Sequence, residues 1–222
     1  MRFPSGMVWL GRLFLGLALA VIARAQVVVT FQDLNLADYD AIPGNYGATL
    51  DPHLSTVSYR TFTAATNVTL TNYLEFWNLT YGDLTKVAFA SSNGYAAEIS
   101  LVPAAGYGIR LLSFDMAGWP NQDRSNTLMR LTDGSGNVLL NYAASGPVPI
   151  EGDLFGARHS AFTPNLYTPG TLRIQWGNDW NIGIDNIRFE VVALSAVPEP
   201  STWVLLSLGA AAVAWRTRRR RG

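Results

Sequence analysis

The sequence predicts an all-β domain, a jelly-roll-like β-sandwich over residues 26–194, with an apolar segment at each end of the chain. Three observations point there. Short alternating or β-branched runs are separated by clusters of Gly, Pro, Asn and Asp, the composition of strands and turns. No stretch between the two ends holds a helical period long enough to compete. Thr171 to Trp176 alternates cleanly, with Leu172, Ile174 and Trp176 on one face and Arg173 and Gln175 on the other. Roughly nine to ten strands with both termini extended suit two sheets packed as a jelly roll.

In chain order, Val27 to Leu34 is the first expected strand. Asn35 to Gly47 is a long loop around Pro43-Gly44-Asn45-Tyr46-Gly47. Val57 to Phe62 and Val68 to Leu70 are short strands, followed by an aromatic segment with Tyr73, Phe76 and Trp77. Leu84 to Ala90, Tyr95 to Val102 and Gly108 to Met116 come next. Thr127 to Thr132 and Val138 to Tyr142 flank Asp133-Gly134-Ser135-Gly136-Asn137 and form the clearest hairpin. Ala143 to Phe155 is expected as a loop, and Ile182 to Val192 as the last strand.

The N-terminus, residues 1–25, has the form of a secretory signal peptide. Arg2 and Arg12 give a positive start, Leu13 to Ala23 an apolar core, and Ala23-Arg24-Ala25 a small-residue cleavage site. The implied partners are the Sec translocon and signal peptidase. The C-terminal segment, residues 195–222, has three ordered parts. Pro198-Glu199-Pro200 is rigid and extended, because proline stops a helix from growing backwards. Residues 201–215 carry no charge and span about 22 Å as a helix at ~1.5 Å per residue. That is shorter than the ~20 residues of an ordinary transmembrane helix. Trp203 and Trp215 bracket it as interfacial aromatics, and Arg216, Arg218, Arg219, Arg220 and Arg221 form a basic end that stays cytoplasmic. The body between the two segments is then exported.

The formal charge of zero hides an asymmetry. Three arginines precede Gln26 and five follow Pro200, leaving eight basic against 16 acidic residues in the body, a net charge near −8. Nucleic acid demands a basic footprint and is excluded as a partner. Cysteine is absent, so neither disulfides nor a thiolate metal site can hold the domain. Lys86 is the only lysine, which reads as codon bias.

Two constellations invite chemistry. In the first expected strand Asp33 shares a face with Val29 and Phe31, and in the last Asp185 shares one with Ile187, Phe189 and Val191. A carboxylate on a core face needs a partner. A structural calcium between first and last strands, as in jelly-roll carbohydrate-binding modules, would supply one. Backbone N–H groups, arginine, or a bulge that flips the phase would serve equally. The second set is Trp119, Asn121 and Asp123 with Asn178 and Trp180, indoles beside amide and carboxylate groups as in glycan sites; the alternative is that Trp176 is core and the other two indoles cap loops. No catalytic residue is expected. His53 and His159 lie far apart, no His-Glu-x-x-His or Gly-x-Ser-x-Gly pattern occurs, and no local context selects a carboxylate pair.

The C-terminal order of Pro198-Glu199-Pro200, short apolar helix and arginines resembles the PEP-CTERM sorting signal. That resemblance implies a transient single-pass precursor in the inner membrane, cut near the tripeptide by an exosortase. The cell surface or an exopolysaccharide matrix would then receive the body, as in a biofilm. The middle resembles, more loosely, the exported domains that accompany this tail, through TFQDL, the Pro43 to Gly47 loop, Leu112-Ser113-Phe114-Asp115 and the closing IGIDNI. The expected function is a non-enzymatic surface or matrix protein, with a glycan-binding module as the alternative and a glycan-active enzyme behind it.

Overall fold

The computed structural model describes residues 25–156, 158–177, 180–194, 208–210 and 216. Among them are fifteen strands: β1 (Val27–Val29), β2 (Leu54–Phe62), β3 (Thr69–Thr71), β4 (Glu75–Trp77), β5 (Val87–Phe89), β6 (Ala96–Pro103), β7 (Tyr107–Gly118), β8 (Arg124–Asn126), β9 (Leu128–Asp133), β10 (Val138–Asn141), β11 (Val148–Ile150), β12 (Ser160–Phe162), β13 (Leu166–Thr168), β14 (Leu172–Gly177) and β15 (Ile182–Ala193). Two antiparallel sheets pack as a sandwich. One runs β12-β7-β15-β5-β4, with β1 also on β15 and β13 also on β7. The other runs β10-β9-β14-β6-β2-β3. β8 and β11 form a separate ribbon.

The main core lies between the sheets, as alternation requires. Val57, Tyr59, Ile99, Leu101, Ile174 and Trp176 from one sheet meet Ile109, Leu111, Phe114, Met116, Ile184 and Phe189 from the other. The Trp176 indole N–H donates to the carbonyl of Ile182 at 3.1 Å, so the largest core side chain leaves no orphan donor. The expected hairpin is present. Asp133 Oδ1 accepts from the N–H groups of Ser135 and Asn137, both at 2.9 Å, and Gly136 takes φ 87°, which glycine adopts without strain.

Several expectations need correction. The first strand ends at Val29 rather than Leu34, because the chain turns at once, with Leu34 N–H donating to the Phe31 carbonyl at 3.2 Å. Among the described residues strands number fifteen rather than nine or ten, and the expected loop from Ala143 to Phe155 contains β11. Most of the additional strands are three-residue segments whose pairing comes from a neighbour rather than from their own pattern.

A second apolar cluster covers the outer face of the seven-stranded sheet. Tyr81, Leu84, Val87, Phe89 and Ala117 are buried there, with Trp77, Trp119 and Trp180 packed against them. The outer face of the six-stranded sheet is polar. Arg60, Glu98, Gln175 and Arg130 are register neighbours on β2, β6, β14 and β9 and form one ladder across four strands.

Candidate functional site

The outer face of the seven-stranded sheet carries Asp185 and the Trp119–Trp180 pair, one part of each group that the sequence singled out. Asp185 lies on β15, but not on the core face. Ile184 packs into the core, Asp185 alternates away from it, and a bulge at Asn186 (φ 52°) resets the phase before Ile187. Asp33 lies past the end of β1, exposed in the turn. The expectation of two core-facing aspartates is therefore corrected by one bulge and one early strand end.

Asp185 is nevertheless buried, at 2% exposure. Its Oδ2 accepts from the Gln32 amide at 3.3 Å, while Oδ1 has no partner. Burial is the main cause that pushes its pKa up to about 6, with the Asp115 carboxylate adding to it. The N–H groups of Asn186 and Phe31 and the Gln32 amide act in the opposite sense. Asp115 is its register partner on β7 and accepts from the Asn186 amide at 2.9 Å. The Tyr46 hydroxyl touches both the Thr30 carbonyl and Asp33 Oδ1. Burial first, then the bond and charge of Asp33 and the charge of Asp185, raise the Tyr46 phenol above its usual range.

This oxygen-rich corner suits calcium in donor chemistry, because calcium takes carboxylate and carbonyl oxygens. Among the described residues no group of three or more His, Cys, Asp or Glu side chains could hold a metal. Lys86 also serves this corner. Its ammonium donates to the carbonyls of Gln32 at 2.6 Å and Leu34 at 2.9 Å, a structural task that composition alone had assigned to codon bias.

The aromatic set divides. Trp119 and Trp180 do meet, with ring centroids 4.8 Å apart. Trp77 adds a T-shaped contact to Trp119 at 5.9 Å, and Tyr39 one to Trp77 at 4.8 Å. Trp119 Nε1 and Asn121 Oδ1 are buried without partners. Asp123 accepts from the N–H groups of Gly152 at 3.0 Å and Asp153 at 3.2 Å, which ties down a loop. Asn178 lies outside the described residues. Sequence reasoning missed Tyr39 and Glu75, which share a cleft with Trp180. The only sequence signal was the dense aromatic segment around Trp77.

The histidines remain apart. His53 stacks on Tyr107 at 4.2 Å, and His159 Nδ1 meets Asp83 at 2.8 Å in a half-exposed pair. Ser160 Oγ accepts from the Glu151 N–H at 2.9 Å.

Of the two termini, residues 1–24, Pro198, Glu199, Pro200 and Arg218 to Arg221 lie outside the described residues. Residues 208–210 and Arg216 are helical. Among the described residues no helix is long and apolar enough to cross a membrane. Residues 196–220 match the PEP-CTERM protein-sorting motif, and the chain carries that motif at its C-terminus. The motif implies processing by an exosortase, and proteins that bear it are exported and associated with the cell surface. No curated protein matches the chain. Among solved structures, the enzymatically active domain of bacteriophage CBA120 tailspike protein 4 is 14% identical at a TM-score of 0.31, covering 69% of this chain. The chain spans only 22% of that domain's length. TmCBM61 in complex with β-1,4-galactotriose is 16% identical at a TM-score of 0.25, covering 71% of this chain and 99% of that one. At such scores neither likeness bears on ligand or activity.

Proposed function

We propose that the sandwich is a non-enzymatic structural component of a bacterial cell surface or exopolysaccharide matrix. It is made as an inner-membrane precursor and released by an exosortase near Pro198-Glu199-Pro200. The sorting motif at residues 196–220 is the observation that supports this reading most. The near −8 charge of the body suits a soluble extracellular domain. Within the sandwich, the crossings from β6 to β7 and from β14 to β15 between sheets support the jelly-roll assignment. A structural calcium at Asp33 and Asp185 belongs to the same proposal, supported by the unpaired Asp185 Oδ1.

The test is the intact mass of the protein recovered from the outer fraction of its own host. The expected mature chain lacks Met1 to Ala25 and everything after about Pro200. A chain that still ends at Gly222 would overturn release and leave a single-pass membrane protein displaying the sandwich. A glycan-binding module is the second reading, favoured by the exposed Tyr39 beside Trp180.

A further inference from the structure

A cleft of about 280 Å³ opens at the edge of the second apolar cluster. Tyr39 and Trp180 line it with Phe89, and Glu75 and Asn93 supply polar groups. We propose that this cleft binds a neutral pyranose unit of a polysaccharide, stacked on Tyr39 and Trp180 and hydrogen-bonded by Glu75 and Asn93. The proposal rests on the reading that the body is delivered into a polymer, and it names the ligand class and the residues that take it.

Tyr39 supplies the open ring of the cleft. It sits at φ 71°, a region a bulky residue occupies only where its surroundings hold it there. Its N–H donates to the Phe76 carbonyl at 2.9 Å, Asp40 Oδ2 caps the turn at the Ala37 N–H at 2.8 Å, and its ring leans on Trp77. All of this holds an aromatic ring that stays 57% exposed. The edge contacts with Trp77 and Phe89 hold the ring while more than half of the residue stays exposed, which gives a ligand a fixed stacking platform. Sugar C–H groups carry partial positive charge and favour the negative face of an aromatic ring.

Glu75 supplies the carboxylate of the cleft. It is half-buried on β4, and its carboxylate has no hydrogen bond or ion pair among the described residues. Burial raises its pKa. The exposed Asn93 amide is equally unpartnered. A carboxylate and an amide beside an aromatic wall are the few convergent polar groups that orient a ligand in a mostly apolar site. Charge then selects among sugars. Among the described residues no arginine or lysine lines the cleft, and the body is near −8, so a uronate would be repelled.

The test is native affinity electrophoresis of the host-exported protein in gels containing dextran, galactomannan or xyloglucan, with polygalacturonate as the anionic control. Retardation by at least one neutral polymer is expected, weakened at least tenfold by Tyr39→Ala and by Glu75→Gln. Asn93→Ala, at an exposed position, is expected to weaken it severalfold. Near-UV circular dichroism confirms that each variant is folded. No retardation by any neutral polymer, retardation untouched by all three substitutions, or retardation by polygalacturonate alone would overturn the proposal. A protein trimmed at both ends yet unretarded sinks the cleft and spares the sorting reading. A retarded protein that still ends at Gly222 does the reverse.

Discussion

The Lys86 ammonium donates to the backbone carbonyl of Gln32 at 2.6 Å and, two residues on, to that of Leu34 at 2.9 Å. The only lysine of the chain thus closes the turn that ends β1, and Gln32 in turn bonds Thr85 and Asp185. Hydrogen bonds to a charged group contribute about 1.5–3 kcal/mol each when well shielded, and less where water competes. Lys86→Met is expected to destabilise the protein by about 1–2 kcal/mol, read as a lower urea midpoint at unchanged slope. An unchanged midpoint would show that the turn holds without it.

The ladder across the six-stranded sheet gives a pH-dependent prediction. Arg60 grips Glu98 bidentately at 2.8 and 2.6 Å, Gln175 reaches the same carboxylate at 2.5 Å, and Arg130 holds Gln175 at 2.6 Å. Burial alone would raise the Glu98 pKa; the bonds from Arg60 and Gln175, the Arg60 charge and Ser100 outweigh it and leave it lowered. A depressed carboxylate contributes stability that is complete above its unfolded value of about 4.5 and is lost as pH falls through the folded value. Glu98→Ala leaves Arg60 without a carboxylate, although its bonds to Thr69 and Asn67 remain, and is expected to cost up to about 3 kcal/mol at pH 7. The gap to the native protein should narrow at pH 3. A gap equal at both values would show that the carboxylate's charge does not stabilise the sheet.

Asp185 and Asp33 make calcium testable directly. A ligand that binds only the folded state stabilises it by about 2.7 kcal/mol at one hundred times its Kd. Millimolar calcium is expected to raise the Tm of the native protein over that in chelator. Asp185→Asn keeps the shape, removes the charge and should abolish the rise; Asp33→Asn should reduce it. No rise in the native protein would show that Gln32, Lys86 and backbone N–H groups are the whole support of this corner.

The parts of this fold that follow from local pattern were legible in the sequence. β7, β14 and the β9–β10 hairpin carry their own alternation and turn residues, and all three stand where expected. β12 and β13 are three residues each, and only their partner β7 makes them strands. The Asn186 bulge is a register event, invisible until β15 is laid on β7, and it alone moved Asp185 off the core face. Tyr39 could not be foreseen, because nothing in Ala37-Asp38-Tyr39-Asp40 announces a left-handed tyrosine. Trp119 and Trp180 were found because indoles near loop glycines and asparagines are rare enough to notice. Their meeting on the outer face, rather than in the core, is a property of the second apolar cluster.

Glycines test how tightly that outer face is drawn together. Gly82 adopts φ +57°, and a Cβ there would fall on the Arg158 carbonyl and come within 3.4 Å of the Ala117 Cβ. Gly94 adopts φ +78° with nothing within 4 Å, and Gly44 has open space and an ordinary backbone. The three positions separate conformational strain from close approach. Gly44→Ala removes only unfolded-state freedom and is expected to stabilise by up to about 1 kcal/mol. Gly94→Ala adds the left-handed penalty of about 1–2 kcal/mol per residue. Gly82→Ala adds to that penalty the cost of overpacking, about 1–3 kcal/mol, because a backbone carbonyl cannot swing aside as a flexible side chain can. Urea midpoints of the three variants should therefore fall in the order Gly44→Ala, Gly94→Ala, Gly82→Ala. If Gly82→Ala proved no worse than Gly94→Ala, Arg158 would not be pressed against the turn that carries Tyr81 into the second apolar cluster.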